Sequence, residues 1–235
     1  MHGFPPSANG QVTLANWRQA PFSRWAFHHV RELVPSAEIG NDPDDVHEWP
    51  IDRVEIGDIP IEADGIRPLS FDEFLVDTST DGIVVARGGR IVFERYANGM
   101  TETTPHILMS VSKSLLGLVA GVLAASGELE PDRKVTDLVP EVGETAYKGA
   151  TIRQLLDMRT GVAFDENYLA TSGAMIAYRK ATNWVPLDPG EAPSDLRSFY
   201  RAMTDRDGPH GGRFQDISPN TDLLGWVVER ATGRR

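Results

Sequence analysis

The sequence lacks cysteine and has very little lysine. Without cysteine the chain can form no disulfide, no thiolate nucleophile and no cysteine-based metal site. Only four lysines accompany nineteen arginines, and 34 acidic residues bring the formal net charge to −11. No lysine- or arginine-rich run is present, so the composition argues against a nucleic-acid partner.

Long hydrophobic runs are also missing. The longest, LLGLVAGVLAA at 115–125, is shorter than the roughly 20 residues that a membrane-spanning helix needs. The N-terminal stretch MHGFPPSANGQVTLANW has neither the basic region nor the apolar region of a secretory signal. We therefore expect a cytoplasmic protein with no membrane partner.

The length of 235 residues fits one large domain or two closely associated ones. Residues 1–20 are expected to form a flexible N-terminal arm, and residues 21–235 a single domain. Within that domain, residues 37–68 are acidic and rich in Pro and Gly, which is typical of a long surface loop. Residues 159–193 show no clear periodicity and are expected to be irregular.

Periodicity predicts one hairpin and several helices. Two β-branched runs flank Gly88-Gly89 within 81–99, which is the pattern of a β-hairpin, and no strand is strongly predicted after residue 99. The predicted helices cover 24–34, 110–126, 151–158, 194–203 and 220–233. The candidate caps are Thr151 and Ser194 at N-termini and Gly127 at a C-terminus. The 110–126 helix is apolar on most sides and is expected to be buried.

One of the few lysines lies at the head of that helix, in MSVSKSLLG (109–117). Ser110 and Lys113 are three residues apart and therefore share a helix face. A serine hydroxyl is a poor nucleophile until a base takes its proton. Burial and the positive end of the helix both disfavour a charged lysine, which would let Lys113 act as that base. The same helix end offers backbone N–H groups to an oxyanion.

A plainer interpretation of this motif stays open. An S-x-x-K tetrapeptide occurs about once by chance in a chain of this size, so Ser110 could be a helix cap and Lys113 a solvated side chain. Two observations favour chemistry. This is the only S-x-x-K in the sequence, and the helix behind it is too apolar for a surface helix.

The segment from Met109 to Glu141 resembles the S-x-x-K serine hydrolases, which include class C β-lactamases, DD-peptidases and related esterases. In that group a G-x-L-x-x-D-x-x-V linker and a T-I-R-x-L-L helix follow the nucleophile helix. The matching residues here are Gly127, Leu129, Asp132, Val135 and the run 151–156. The resemblance implies an α+β fold of the β-lactamase/DD-peptidase type, with an antiparallel sheet flanked by helices and a mainly helical subdomain.

Five segments also resemble the 6-aminohexanoate-dimer hydrolase family of nylon-oligomer amidases, from about residue 17 to the last residue. They are RWAFHHVRELVPSA, ILMSVSKSL, LLDM, DENY and GRFQDISPNTDLLGWVVERATG. This resemblance implies hydrolysis of linear amides (6-aminohexanoate oligomers) or short-chain carboxylic esters through an acyl-enzyme. It makes Ser110 the nucleophile, Lys113 its base and Tyr168 of DENY a substrate-binding residue. For Tyr168, a surface aromatic on a loop is the alternative.

The first departure from this family is Asp216, in FQDISPN. The family has a catalytic tyrosine here, which hydrogen-bonds the nucleophile and relays a proton to the leaving group. A carboxylate at this position is expected to pair with Lys113 and keep it protonated, the opposite of what a base requires. We therefore expect Asp216 to lower amidase activity strongly, although Asp216 acting as the base itself stays open.

The second departure is at the C-terminus. The family continues with further sheet strands and a K-T-G or H-x-G-like motif, whereas this sequence ends at ATGRR. We therefore expect the C-terminal strands to be missing and the domain to be incomplete. The alternative function is a catalytically impaired or vestigial domain that acts in binding. An open sheet edge would also suit a partner chain, including a second copy in a homodimer.

No metal or cofactor is expected. The six histidines are scattered and show no H-E-x-x-H or other ligand spacing. They are His2, His28, His29, His47, His106 and His210. Asp42, Asp44 and Asp45 crowd one loop without the glycine and glutamate of an EF-hand. The expected partner is therefore a small-molecule amide or ester substrate.

Overall fold

A computed structural model describes residues 3–37, 40, 42, 44–62, 65 and 67–234. The chain divides into two compact units, residues 1–107 and 108–235. The arm predicted over residues 1–20 and the single domain predicted over 21–235 stay predictions. Within the first of these ranges, Trp17 is buried, with 3 % of its surface exposed.

The described part of the first unit contains short helices and two antiparallel strand pairs. Its elements are α1 (Ser23–Ala26), β1 (Pro60–Ile61), β2 (Leu69–Ser70), α2 (Phe71–Asp77), β3 (Gly82–Arg87) and β4 (Arg90–Tyr96). One sheet pairs β1 with β2, and the other pairs β3 with β4. Single 3-10 turns lie at Ala8–Gly10 and Val30–Glu32.

The hairpin predicted around Gly88-Gly89 is confirmed. Both glycines have positive φ, +58° and +73°, which a two-residue turn requires and which glycine adopts without a steric penalty. The register pairs Val85 with Phe93, and a bulge between Val85 and Ala86 shifts the pairing toward the turn.

The helix predicted over 24–34 is wrong. Helix α1 ends at Ala26, and the next helical residues are the 3-10 turn at Val30–Glu32. At the break, His29 has φ −127° and ψ 28°. Its ring Nδ1 lies 2.7 Å from the carbonyl of Trp25, which the backbone N–H of His29 would otherwise use to continue the helix.

The surface loop predicted over 37–68 is also corrected in part, because β1 lies within it. Helix α2, which follows β2, was not predicted. It begins with a capping box in which Ser70 Oγ accepts from the backbone N–H of Glu73, and the Glu73 carboxylate accepts from the backbone N–H of Ser70. Ser-x-x-Glu is a sequence signature of a helix start.

The described part of the second unit is helical. Its helices are α3 (Val111–Ser126), α4 (Ile152–Leu156), α5 (Ala174–Ala181), α6 (Leu196–Arg201) and α7 (Ser218–Thr232), with 3-10 turns at Val135–Asp137 and Pro140–Val142. No strand follows β4 among the residues described, although isolated bridges join Lys134 to Thr151 and Val162 to Arg206. With the two sheets of the first unit, this confirms the α+β class.

The helix ends of the second unit agree with the sequence in most places. Thr151 caps α4 through a capping box with Gln154, and Gly127 ends α3 with φ +79°. The cap predicted at Ser194 is wrong, since Asp195 accepts from the backbone N–H of Ser198 instead. Helix α7 begins at Ser218, two residues before the predicted start. Helix α5 lies inside the stretch that was expected to be irregular.

The core of the second unit is formed where α4 packs against α7. Large side chains with almost no exposure fill it, including Tyr147, Ile152, Leu155, Tyr200, Ile217, Leu223 and Val227. This core fixes the position of the segment that leads into α7, and therefore the position of Asp216.

The burial predicted for α3 is wrong. Only Ala120 and Leu123 of this helix are buried, whereas Leu118 and Val122 are 68 % and 69 % exposed. A helix that is apolar on most sides needs cover on more than one side, and α3 packs against α7 along one side. No helix in the described part of the chain combines the length and apolar character that a bilayer span requires.

Candidate active site

Ser110 occupies the N-cap position of α3. Its side chain makes no capping hydrogen bond, and the residue is exposed. The residue before it, Met109, has φ +48°, which is uncommon for a residue with a side chain. The carbonyl of Met109 accepts from the backbone N–H of Ser112 at 3.2 Å, which closes this turn, and also from the hydroxyl of Ser112 at 2.5 Å.

Ser110 also presents its backbone N–H at the start of the helix. Among the described residues no acceptor bonds this N–H, whereas the N–H groups of Val111 and Ser112 bond to the carbonyls of Leu108 and Met109. An unpaired N–H at a helix N-terminus lies in a region of positive potential. It could donate to a developing oxyanion.

Lys113 lies one helical turn further on and is largely buried, with 18 % of its side chain exposed. Its ammonium donates a hydrogen bond of 2.8 Å to Asp216 Oδ1. The ion pair that the sequence predicts is therefore formed. In the described part of the chain, no hydrogen bond joins Lys113 Nζ to Ser110 Oγ.

Asp216 lies directly before α7, with 60 % of its side chain exposed. A solvated ion pair of this kind adds only about 0–1 kcal/mol to stability. The contact also occupies the Lys113 ammonium with a carboxylate rather than with Ser110.

A second carboxylate acts on Lys113. Asp222, on α7, is partly buried, and this burial raises the pKa of its carboxyl above the usual range. A hydrogen bond from Tyr178 and the charge of Lys113 lower the pKa of Asp222 by less.

Tyr168 is exposed and is held by a neighbour in its own segment. Its hydroxyl donates to Glu166 Oε1 at 2.9 Å. Partial burial and this hydrogen bond raise the pKa of Tyr168 to about 12, so the phenol is neutral near pH 7 and can donate a hydrogen bond.

Glu166 ties the Tyr168 segment to the start of α7. Its carboxylate accepts from the backbone N–H and from the hydroxyl of Ser218, each at 2.5 Å. A carboxylate at the first residue of a helix is favoured by the helix dipole. Glu166 therefore places Tyr168 and the N-terminus of α7 at a fixed separation.

Arg179 of α5 anchors the other side of the Tyr168 segment. The residue is 5 % exposed. Its guanidinium donates to the carbonyl of Tyr168 at 2.8 Å and to that of Ala170 at 3.4 Å. Two carbonyls of this loop thus gain a charge-assisted partner.

A cavity of about 590 Å³ opens beside Asp216. Four carboxylates line it, and they are Asp165, Glu166, Asp207 and Asp216. Arg213 also lines it and contacts Asp207. Neither Ser110 nor Lys113 lines this cavity. The acidic wall favours neutral or cationic ligands over anionic ones.

Sequence reasoning found Ser110, Lys113, Asp216 and Tyr168 but missed the contacts that Glu166, Tyr178, Ser218 and Asp222 make. A partial signal for the missed residues was present, because Ser218 and Asp222 are four residues apart and share one face of α7. Their partners, Glu166 and Tyr178, come from distant segments, and no local pattern indicates such pairs.

Comparison with known proteins assigns this chain to a family. Residues 71–235 match the Beta-lactamase family. Over 232 residues the chain is 34 % identical to 6-aminohexanoate-dimer hydrolase of Paenarthrobacter ureafaciens, covering 99 % of this chain and 57 % of the relative. Over 181 residues it is 32 % identical to Esterase EstB of Burkholderia gladioli, covering 70 % of this chain and 44 % of the relative.

A solved structure agrees with the sequence matches. A Bacillus anthracis protein provisionally named 6-aminohexanoate-dimer hydrolase superposes with a TM-score of 0.86 at 27 % identity, covering 97 % of this chain and 60 % of that one. The chain thus spans little more than half the length of these relatives. The resemblance inferred from the S-x-x-K motif and the segments around it is confirmed: the chain belongs to the beta-lactamase family.

Proposed function

We propose that this chain forms part of a serine hydrolase that cleaves linear amides, such as 6-aminohexanoate oligomers, or short-chain carboxylic esters. The observation that carries the proposal is the exposed and unbonded hydroxyl of Ser110, one turn before Lys113 at the N-terminus of α3. The relatives named 6-aminohexanoate-dimer hydrolase and Esterase EstB support the substrate class.

The proposed reaction is acyl transfer in two halves. Ser110 Oγ attacks the carbonyl carbon while its proton passes to Lys113, and the oxyanion forms near the backbone N–H of Ser110. The bond from the carbonyl carbon to the leaving nitrogen or oxygen then breaks, and the leaving group takes up the proton. Water attacks the acyl-enzyme in the second half and regenerates the Ser110 hydroxyl.

For this cycle Lys113 must be neutral when Ser110 attacks. The 2.8 Å hydrogen bond to Asp216 opposes that state. We therefore propose that the chain turns over slowly. Each acylation requires a neutral Lys113, and Lys113 must lose its proton although a carboxylate is paired with it.

The same ion pair favours a second candidate function. A catalytically impaired domain that binds a ligand needs no neutral Lys113, and the Lys113–Asp216 contact would then be a structural feature of that domain. The two functions differ in one property, which is whether the Ser110 hydroxyl reacts.

Hydrolysis of p-nitrophenyl acetate by the parent and by Ser110→Ala tests the proposal. A neutral ester is the right substrate because the carboxylates near Asp216 would repel an anionic one. Ser112→Ala is the matched control, since Ser112 lies on the same helix and its hydroxyl bonds to the carbonyl of Met109. We expect turnover that is lost in Ser110→Ala and kept in Ser112→Ala. Equal rates in the parent and Ser110→Ala would reject Ser110 as the nucleophile.

A further inference from the structure

Three metal-ligating side chains converge in the first unit, although nothing in their linear spacing indicates a site. Among the described residues, His28, Asp81 and His106 each offer one ligand atom, and these atoms lie within 4.8 Å of one another. Asp81 Oδ2 is 3.2 Å from His28 Nε2 and 3.3 Å from His106 Nε2. One carboxylate oxygen therefore faces two imidazole nitrogens.

The cluster is buried and incompletely bonded. The side chain of His28 is 5 % exposed and that of Asp81 is 8 % exposed. His28 Nε2 and Asp81 Oδ1 have no hydrogen-bond partner among the described residues, despite their burial. Buried polar atoms normally find partners, so these two unpaired atoms remain available to a further ligand in the cluster.

The tautomer of His106 determines which of its ring nitrogens can act as a ligand. His106 Nδ1 lies 2.8 Å from the carbonyl of Ile107, and a carbonyl can only accept, so Nδ1 carries the proton. In the neutral ring, Nε2 then turns a lone pair toward the Asp81 carboxylate. A cation between the lone pair and the carboxylate removes their repulsion, and either a proton on Nε2 or a metal ion can be that cation. A backbone carbonyl that fixes the tautomer of a histidine is also the usual outer-shell partner of a metal ligand.

The distances suit a first-row divalent ion. Zinc binds histidine nitrogen and carboxylate oxygen at about 2.0–2.1 Å in tetrahedral geometry, which places neighbouring ligand atoms roughly 3.3–3.4 Å apart. The observed separations from Asp81 Oδ2 to the two histidine nitrogens are 3.2 and 3.3 Å. Two histidines and one carboxylate also make up a common donor set for catalytic zinc.

Access to the cluster is open on one side. A cavity of about 480 Å³ is lined by His28 and His106, together with Phe27, Arg31 and Pro105. An ion held by three protein ligands would therefore keep one coordination position that water or a small ligand from this cavity could reach.

Arg24 is a further charged group near the cluster, with its guanidinium 3.6 Å from Asp81 Oδ1. It is 37 % exposed and makes no hydrogen bond to that oxygen. An ion pair of this length compensates Asp81 only in part. It also leaves Oδ2, the oxygen between the two imidazoles, available as a ligand.

We propose that His28, Asp81 and His106 form a site for a divalent transition-metal ion of the Zn²⁺ class, with a fourth position open to the adjoining cavity. The site lies wholly within the first unit and uses none of the residues proposed for acyl transfer. The outcome of a test of this metal site is therefore independent of the reactivity of Ser110.

Titration of the metal-free full chain with ZnCl2, followed by calorimetry, tests the proposal. Titration with CoCl2 supplies a second readout, since a tetrahedral N/O site gives Co²⁺ intense visible absorption. The main variant is His106→Ala, because this side chain is 30 % exposed and its loss is compatible with folding. Asp81→Asn, which keeps the shape of the side chain, is the second variant. His47→Ala, which removes an exposed histidine outside the cluster, is the matched control.

The expected result is one Zn²⁺ per chain, with affinity reduced about a hundredfold or more in His106→Ala and in Asp81→Asn but kept in His47→Ala. Changes in the outer shell alone cost about 10–100-fold in metal affinity, so removal of a ligand should cost at least the upper value. Three results would overturn the proposal: no binding by the parent, binding that is unchanged in His106→Ala, or an equal loss in His47→Ala.

Discussion

Lys113 Nζ and Asp216 Oδ1 are joined by a hydrogen bond of 2.8 Å, although 103 residues separate them in the sequence. The contact brings the first turn of α3 to the segment that leads into α7. It also gives the proposed catalytic base a carboxylate partner where the resemblance implies a tyrosine. The Lys113–Asp216 ion pair is therefore the feature of the proposed site that variants of Asp216 test most directly.

The exchange Asp216→Tyr is expected to raise activity. It removes the carboxylate that is hydrogen-bonded to Lys113 Nζ and supplies a hydroxyl that can relay a proton to the leaving group. A positioned acid–base group contributes about 10²–10⁴-fold to a rate. We expect an increase in kcat/KM toward a p-nitrophenyl ester of about tenfold or more, since the new side chain is not pre-positioned.

Asp216→Asn is the matched variant for that measurement, because it removes the charge and supplies no hydroxyl. We expect a smaller rise than in Asp216→Tyr. If Asp216→Tyr is no more active than the parent, the inhibitory role of Asp216 is rejected. A rate that falls in Asp216→Asn would instead identify Asp216 as the base.

Asp222→Asn is expected to stabilise the chain near pH 7. Burial raises the pKa of Asp222 above its ordinary value of 3.8, so the folded state binds this proton more tightly than the unfolded state does. Stability from this group is thus highest at low pH and is lost as pH rises through the folded-state pKa. Asparagine keeps an oxygen that can accept from Tyr178 and removes the buried charge.

Thermal unfolding of the parent and Asp222→Asn from about pH 4 to pH 8 checks this prediction. The gain in Tm should be largest at the upper end and should shrink toward pH 4, because protonation of Asp222 in the parent removes the buried charge. Asp216→Asn serves as the exposed control and should show little change in Tm. A variant less stable than the parent at pH 8 would contradict the account of Asp222.

Asn220→Ala is expected to destabilise the second unit. Asn220 is fully buried, and its carbonyl accepts from Tyr147 OH at 3.1 Å and from Thr160 Oγ1 at 3.0 Å. Alanine would leave two buried hydroxyls unpaired, at a cost of about 2–6 kcal/mol in the free energy of unfolding. Tyr147→Phe removes one donor and should cost about 1 kcal/mol.

Urea unfolding of the two variants separates these costs. The loss in Asn220→Ala should exceed that in Tyr147→Phe by a factor of two or more. An ordinary surface substitution changes the free energy of unfolding by less than about 0.5 kcal/mol. A change in this range for Asn220→Ala would show that Asn220 does not hold its own segment and those of Tyr147 and Thr160 together.

The parts of the fold that local rules determine could be predicted from the sequence. Gly88-Gly89 closes a hairpin because both positions need positive φ, and Gly127 ends α3 for the same reason. Helix α5 could not be found this way. Its Arg179 is buried because carbonyls of the Tyr168 loop need a donor, and that requirement comes from tertiary structure.

The candidate site, like the fold, has one part that the sequence predicts and one part that only the tertiary structure reveals. Ser110 and Lys113 are close in sequence, so helix geometry alone places them together, and the resemblance then indicated Asp216 and Tyr168. Glu166 binds Ser218 across 52 residues, and only the fold reveals such a contact. The exposure of α3 also escaped prediction, because composition reports how apolar a helix is and not how many neighbours cover it.

The reactivity of Ser110 is the central claim, and the intact mass of the chain after treatment with a fluorophosphonate probe tests it most directly. The probe phosphonylates an activated serine and needs no particular substrate pocket. We predict a single adduct on the parent that is absent from Ser110→Ala and present on Ser112→Ala. A parent that gains no mass, or an adduct that persists in Ser110→Ala, would contradict the assignment of Ser110 as the nucleophile.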